Sequence, residues 1–326
     1  MSEGAQTDSP EDLSSYLTGK LDIDAFAALL GTSNDEISAK CGDIISQFDF
    51  RYEVLKAHEI EHTIIDVLKA IDNGMLKSSG RERKQDWERG WQENWDDFAS
   101  NGFDVSRLEP RYISKYGISR LFSHYIRPND PKFELNFYTV FRHFIFRTYL
   151  FDYEDFFEFG CGTGYNLIIM NRLFPGRKIT GLDWTESSVR IANELGRRLG
   201  ANLSGRQFDY FQPDPTIHFS PKSAVVTLNS LEQVGNEYKA FLDFLLTKKP
   251  AICINSEPIL EMYDEGNLLD YLAARYHKRR NYLNGYYSEL KKLAQDGKIA
   301  IDRAQRVRMG NLFHEGYSFV VWHVRS

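Results

Sequence analysis

Cysteine is scarce in this 326-residue chain: Cys41, Cys161 and Cys253 are the only three. They lie far apart and form no Cys-x-x-Cys pair. Neither a disulfide framework nor a zinc knuckle is supported, and a reducing compartment fits. Long apolar runs are missing too. The most apolar stretch, 137–151, is interrupted by Arg142, His143 and Arg147, which excludes a membrane span. Residues 1–12 are polar and slightly acidic, without the basic and apolar parts of a signal peptide. There is no basic excess: 40 Lys and Arg stand against 46 Asp and Glu, net charge −6, which argues against a broad grip on nucleic acid. There is no internal repeat. The expectation is a soluble cytoplasmic protein with no nucleic-acid and no membrane partner; a homodimer is left open.

The chain is 42% hydrophobic and 14% aromatic, enough to build a sizeable core and to exclude wholesale disorder. Its period divides it in two. Up to about 134 the pattern reads as a mostly helical extension, with amphipathic stretches at 21–30, 35–48, 54–71 and 81–97. Trp87, Trp91 and Trp95 are spaced by four, so one side of a helix carries three indoles. They either dock on a core or form an aromatic platform facing a ligand. A further aromatic helix is predicted over 133–150.

From about 135 to 326 short apolar runs alternate with helical segments. Strands are predicted at 155–159, 178–182, 203–208, 224–228 and 251–255, with helices at 165–174, 187–199 and 237–246. Repeated βα units of this kind give an α/β, doubly wound, mostly parallel sheet. Two final strands, 299–308 and 317–324, form an antiparallel hairpin that closes it as a seven-stranded sheet. A helical insertion is expected at about 260–297.

The strongest local signal is the run Phe157-Glu158-Phe159-Gly160-Cys161-Gly162-Thr163-Gly164-Tyr165, after a strand and opening a helix. Glycines there permit a sharp turn and the close approach of a ligand, and the helix N-terminus offers free N–H groups. A dinucleotide fingerprint needs its third glycine at 165, which is Tyr; a P-loop needs Gly-Lys-Ser/Thr, which is absent.

With its acidic-x-Gly-x-Gly-x-Gly run and Asp183 at the end of the next strand, the sequence resembles the class I S-adenosylmethionine-dependent methyltransferases. The resemblance covers about 135–326 and implies S-adenosylmethionine as cofactor, S-adenosylhomocysteine as product and a Rossmann-like fold. It implies that Glu158, Gly160, Cys161, Gly162 and Gly164 form the cofactor loop. Asp183 would take the ribose hydroxyls, with Trp184 on the adenine face. Asp209 and Tyr210 follow the third strand, where the family contacts adenine, and Asn229 and Leu231 lie in its fourth motif. That motif ends Leu-Glu-Gln here, Gln233 standing where many relatives have His. Tyr112, Tyr116, Tyr138 and Arg142 precede the first strand, where relatives close over the cofactor, and Arg142 is a candidate partner for its carboxylate.

Methyl transfer from a sulfonium needs a positioned acceptor and excluded water, with a base when the acceptor is a hydroxyl. Candidate bases at strand ends and in the final hairpin are Glu257, ranked first, then Glu232 and His314. The basic run His277 to Arg280 either holds an anionic acceptor or is a solvated helix face. The expected acceptor is a small polar metabolite, a sugar derivative among the options, methylated on O or N. Alternatives are a protein or peptide acceptor and a non-catalytic cofactor-binding protein. His58-Glu59-Ile60-Glu61-His62 matches His-Glu-x-x-His, a zinc-enzyme pattern; no third ligand follows at metzincin spacing, so a metalloenzyme through His58 and His62 is the remote alternative and no metal is expected.

Overall fold

The computed structural model describes residues 13–111 and 113–325. Tyr112 and the first twelve residues fall outside these. In chain order the elements are α1 (Ile23–Leu30), α2 (Asn34–Ile45), β1 (Tyr52–Val54), α3 (Ala57–Asp72), α4 (Lys84–Ser100), β2 (Ser119–Leu121), β3 (His124–Pro128) and α5 (Phe133–Tyr149). There follow β4 (Asp155–Phe159), α6 (Tyr165–Leu173), β5 (Lys178–Asp183), α7 (Glu186–Leu199), β6 (Leu203–Gln207), β7 (Ser223–Leu228), α8 (Lys239–Lys248) and β8 (Ile252–Ser256). The last are α9 (Leu268–Arg280), α10 (Tyr286–Gln295), β9 (Ile299–Gln305), β10 (Met309–Gly310) and β11 (Phe319–Val324).

The seven-stranded sheet has the order β6-β5-β4-β7-β8-β11-β9. The first five strands pair in parallel; β11 runs antiparallel to both β8 and β9. This is the doubly wound sheet with an antiparallel closure that the sequence predicts. Its central strands are buried on both faces, all six residues of β7 among them, as crossover helices on each side require; the edge strands β6 and β9 are partly exposed. One core lies between the sheet and α5, α6 and α7, backed by α1 and α2. The second lies between the opposite face and α8 and α10.

Two details depart from expectation. The N-terminal part is helical but also supplies β1, β2 and β3, which pair antiparallel with β10 in a second, four-stranded sheet. The stretch expected as one helix from 54 starts instead as β1 and becomes helical at Ala57, where Glu59 accepts from the Lys56 backbone N–H in a capping box. The insertion is α9 and α10. A buried ionic group fixes the start of α9: Asp270 accepts from Arg120 of β2 and from Arg306, which also pairs with Glu315. The exit of α9 is turned by Asn281 in the left-handed conformation, its N–H bonded back to His277 and Lys278.

Candidate active site

In this order β4 is the strand at which the chain reverses direction across the sheet, and ligands of open α/β sheets bind at the carboxyl ends flanking that point. A cavity of about 480 Å³ opens there. Its floor is the loop after β4. Gly160, Gly162 and Gly164 all have positive φ, at 74°, 52° and 70°. The first two line the cavity; the third starts α6, where a Cβ would meet Leu195 at 2.8 Å. Gly164 therefore serves packing beneath the loop. Cys161 lines the cavity with its thiol pushed well up by burial.

Asp183 ends β5 and faces the cavity. Its Oδ2 accepts from Gly162 N at 3.0 Å, and its Oδ1 accepts from Thr185 N at 3.0 Å and Thr185 Oγ1 at 2.7 Å. A carboxylate has about four lone-pair sites, so the spare one is on Oδ2. Burial raises the Asp183 pKa while those donors pull it back. Trp184 follows, its ring 6.0 Å from Phe211, and both line the cavity. Across the cleft, Asn229 adopts φ 53° and donates to Gly316 O at 2.6 Å. Ser230 donates to Phe159 O at 2.8 Å and shares a 2.9 Å bond with Tyr210 Oη.

Besides Gly164, four residues of the expected cofactor set lie outside the cavity lining. Asp209 lies outside the lining and closes its own turn, accepting from Phe211 N at 2.9 Å. Leu231 is fully buried in the second core. Glu158 is buried behind the loop, with Oε1 bound to Asn166 Nδ2 and Oε2 without a partner; burial pushes its pKa to about 8. Arg142 is also behind it. Its Nε donates to Tyr138 O, Nη1 to Asn166 Oδ1 and Nη2 to Thr139 Oγ1, and its guanidinium packs on Tyr138 and Tyr165. Asn166, which does line the cavity, thus joins Glu158 to Arg142, and Arg142 stands as a support rather than a ligand group.

The roof comes from α4. Trp87 and Trp91 stack with centroids 5.6 Å apart and line the cavity. A Cβ on Gly162 would lie 3.1 Å from Trp91 Cζ2, so the indole sits directly over the glycine loop. Trp95 instead packs against Phe98 and Phe103. The tryptophan row is therefore divided: Trp87 and Trp91 line the cavity, and Trp95 docks on the core. Glu88 docks α4 on the start of α7, accepting from Glu186 N at 2.8 Å, Ser187 N at 3.1 Å and Ser187 Oγ at 2.6 Å.

The far end of the cavity is lined by Glu232, Gln233, Tyr276, Arg280, Tyr282 and His314. The first-ranked base, Glu257, is not among them. It is fully buried below, and its carboxylate accepts from Ser230 N, Leu231 N and Glu232 N at 3.4, 3.2 and 3.1 Å. Glu257 is a positioning residue that holds the turn after β7, not a group that reaches an acceptor. It also acts on Glu232: burial and the neighbouring Glu257 charge push Glu232 to about 8, while burial takes Glu257 to about 7. The Thr227 side chain and the three backbone donors pull the Glu257 carboxyl back from that rise.

His314 and His277 form a buried pair, Nδ1 to Nε2, 3.0 Å apart, with the His314 pKa driven down by burial and by His277. His277 Nδ1 has no partner. A bare lone pair is the less costly state for that buried nitrogen, so the His277 proton lies on Nε2. His314 then keeps its own proton on Nε2 and is a donor, not a base, in the resting protein. Sequence reasoning missed Glu134, which lines the cavity and accepts from Ser114 N and Tyr317 Oη, both at 3.1 Å. A lone acid within the aromatic α5 was its available signal.

The His-Glu-x-x-His stretch is spent locally. His62 Nδ1 bonds the His58 carbonyl at 2.7 Å, and Glu59 pairs with Arg127. Among the described residues no three His, Cys, Asp or Glu converge as a metal site, and no helix is long and apolar enough to cross a membrane.

No family model and no curated protein matches the chain. Solved structures do. The chain is similar to magnesium protoporphyrin IX methyltransferase from Synechocystis with bound S-adenosylhomocysteine, at 16% identity over 71% of this chain and 97% of that one, TM-score 0.44. It is similar to the methyltransferase domain of a bacterial Hen1, at 17% identity over 55% and 94%, TM-score 0.41. A third is the plantazolicin methyltransferase BpumL, at 11% identity over 56% and 80%, TM-score 0.38. The class that the chain's own strand order and loop define is a Rossmann-like α/β fold with a cleft at the sheet's reversal point.

Proposed function

We propose that the protein is an S-adenosylmethionine-dependent methyltransferase acting on a small polar acceptor. The observation that carries this is the joining of two half-sites in one cavity: the glycine loop with Asp183 and Trp184 at one end, and the titratable Glu232 at the other. The residues present fit the cofactor. Gly160 and Gly162 line the cleft where Ser230 and Trp91 leave no room for a side chain, and Asp183 Oδ2 has one acceptor site free for a ribose hydroxyl. Trp184 and Tyr210 offer aromatic surface beside it. When bound, S-adenosylmethionine supplies an electrophilic methyl group on a sulfonium.

The protein's own part is to orient the acceptor, exclude water and hold a proton. Trp87 and Trp91 roof the cleft, which keeps solvent from the transfer. His314 Nε2–H donates to an acceptor oxygen. Glu232 takes the proton from an acceptor hydroxyl at its carboxylate in the ionised fraction, which is minor at neutral pH and grows as pH rises through about 8. A roofed cleft of this size favours a small acceptor over a peptide.

Calorimetric titration with S-adenosylmethionine and S-adenosylhomocysteine tests the reading, on wild type and Asp183→Ala. Loss of charge-assisted hydrogen bonds worth ~1.5–3 kcal/mol weakens binding roughly ten- to a hundred-fold. A folded wild type that binds neither compound refutes the proposal.

A further inference from the structure

Arg280 ends α9 inside the cavity. The basic run at that end of the helix is divided by the fold. His277 is buried against His314, and Lys278 is exposed and paired with Glu265. Arg275, one turn earlier, pairs with Asp72. Arg280 forms no ion pair among the described residues. Its guanidinium lies 4.8 Å from the Tyr282 ring centroid and 5.9 Å from that of Tyr276, its Nη1 reaches Tyr276 Oη at 3.4 Å, and its buried Nε has no hydrogen-bond partner among the described residues.

A half-buried cation without a counter-ion is costly, because water is withdrawn and nothing replaces it. The tyrosine faces compensate part of that charge, but they supply no acceptor for the open N–H groups. Glu232 is the nearest acid of the lining, and Gln233 Nε2 already donates to its Oε1 at 2.6 Å. Held protonated at neutral pH by burial and by Glu257, it supplies no compensating charge. Glu134 is likewise pushed toward its neutral form by burial. The other cations of the lining are Lys115 and Arg83, and Arg83 is paired with Asp86. The far end of the cavity is therefore positive, with planar forked donors presented to whatever enters.

We propose that Arg280 anchors an oxyanion carried by the methyl acceptor, so that the acceptor is an acidic small molecule, a carboxylate or a phosphate monoester. This rests on the methyltransferase reading of the same cavity. The geometry suits it: a guanidinium takes two oxygens of one oxyanion side by side. The aromatic box of Tyr276, Tyr282 and His314 has centroid separations of 5.2 to 5.9 Å, with Glu232 in the same lining. An anchor there fixes one end of the acceptor while a hydroxyl at the other end meets the base.

The test uses the full-length protein saturated with S-adenosylhomocysteine and three probes: D-glucuronate, D-glucose 6-phosphate and D-glucose. They share a hydroxyl-bearing ring and carry a carboxylate, a phosphate and neither. One or both anions are expected to bind by calorimetry, with glucose at least tenfold weaker. The better anion identifies the oxyanion. Arg280→Gln is expected to weaken the anion at least tenfold, and Arg280→Lys to recover part of the loss. S-adenosylhomocysteine affinity stays within twofold in both variants. Equal binding of glucose, undiminished anion binding by Arg280→Gln, or no binding of either anion to protein that holds S-adenosylhomocysteine overturns the proposal. The titrations are repeated without S-adenosylhomocysteine. A wild type that binds no S-adenosylhomocysteine yet binds the anion through Arg280 refutes the cofactor reading and leaves the anion site standing.

Discussion

Replacing Gly160 by Ala tests the floor of the cleft most directly. Gly160 sits at φ 74°, where an L-residue costs about 1–2 kcal/mol. The added Cβ would also lie 2.3 Å from Ser230 Cβ and 2.7 Å from its Oγ. Ser230 cannot swing away cheaply, since Phe159 O and Tyr210 Oη both hold its hydroxyl. Overpacking of this kind adds about 1–3 kcal/mol, for a total of about 2–5 kcal/mol. Gly176→Ala is the control: φ is 84° but nothing lies within 4 Å of the new Cβ, so the left-handed cost stands alone. Urea unfolding reads both, from shifts in midpoint at constant slope. The double variant Gly160→Ala with Ser230→Gly removes the clashing atom and should show a favourable coupling of about 1–3 kcal/mol. Gly160→Ala costing no more than Gly176→Ala, or a coupling of zero, refutes the steric account of this loop.

Two further outcomes follow from the buried acids. The kcat/KM for methyl transfer, read as S-adenosylhomocysteine released, rises with pH and levels off above an inflection near 8, because only ionised Glu232 accepts a proton; Glu232→Gln abolishes both the inflection and most of the rate, and an unchanged profile removes Glu232 from the mechanism. Thermal stability falls between pH 6.5 and 8.5. Glu158, Glu232 and Glu257 have folded values raised to about 8, 8 and 7, so the native state keeps protons that the unfolded chain has lost, and stability drains as pH climbs through those values. His143, His277 and His314, all lowered by burial, act oppositely, but only below about 6.5, where unfolded imidazoles still carry protons. Melting curves across that window that rise with pH contradict the burial of these carboxyls.

The parallel sheet was legible because each strand is a short apolar run bounded by turn residues, and because β4, the glycine loop and α6 are contiguous in the chain. The small sheet was not. β1 and β2 have three residues each, β10 has two, and β10 pairs with β2 across almost two hundred positions; no local period records such a match. Glu257 misled for a related reason. An acid after a strand reads as a site group, and only the fold brings the backbone N–H groups of Ser230, Leu231 and Glu232 to it. Asp209 likewise has the right place in the chain but spends its oxygen on its own turn. Arg280 was visible as one member of a basic run; which member entered the cavity depended on where α9 stops.

Glu88 gives the roof a structural role beyond shielding. Its carboxylate serves as the N-terminal cap for α7, a post that the chain's own Thr185 leaves open by turning its hydroxyl to Asp183 and Ser188. The helix behind the ribose-side acid is thus completed by a residue nearly a hundred positions upstream, on the element that carries Trp87 and Trp91. Lifting that element would uncap α7 and loosen the segment from Asp183 to Ser187 in the same movement. The roof over the cleft and the cap of the helix beneath it thus rest on one helix, and neither can be removed without the other.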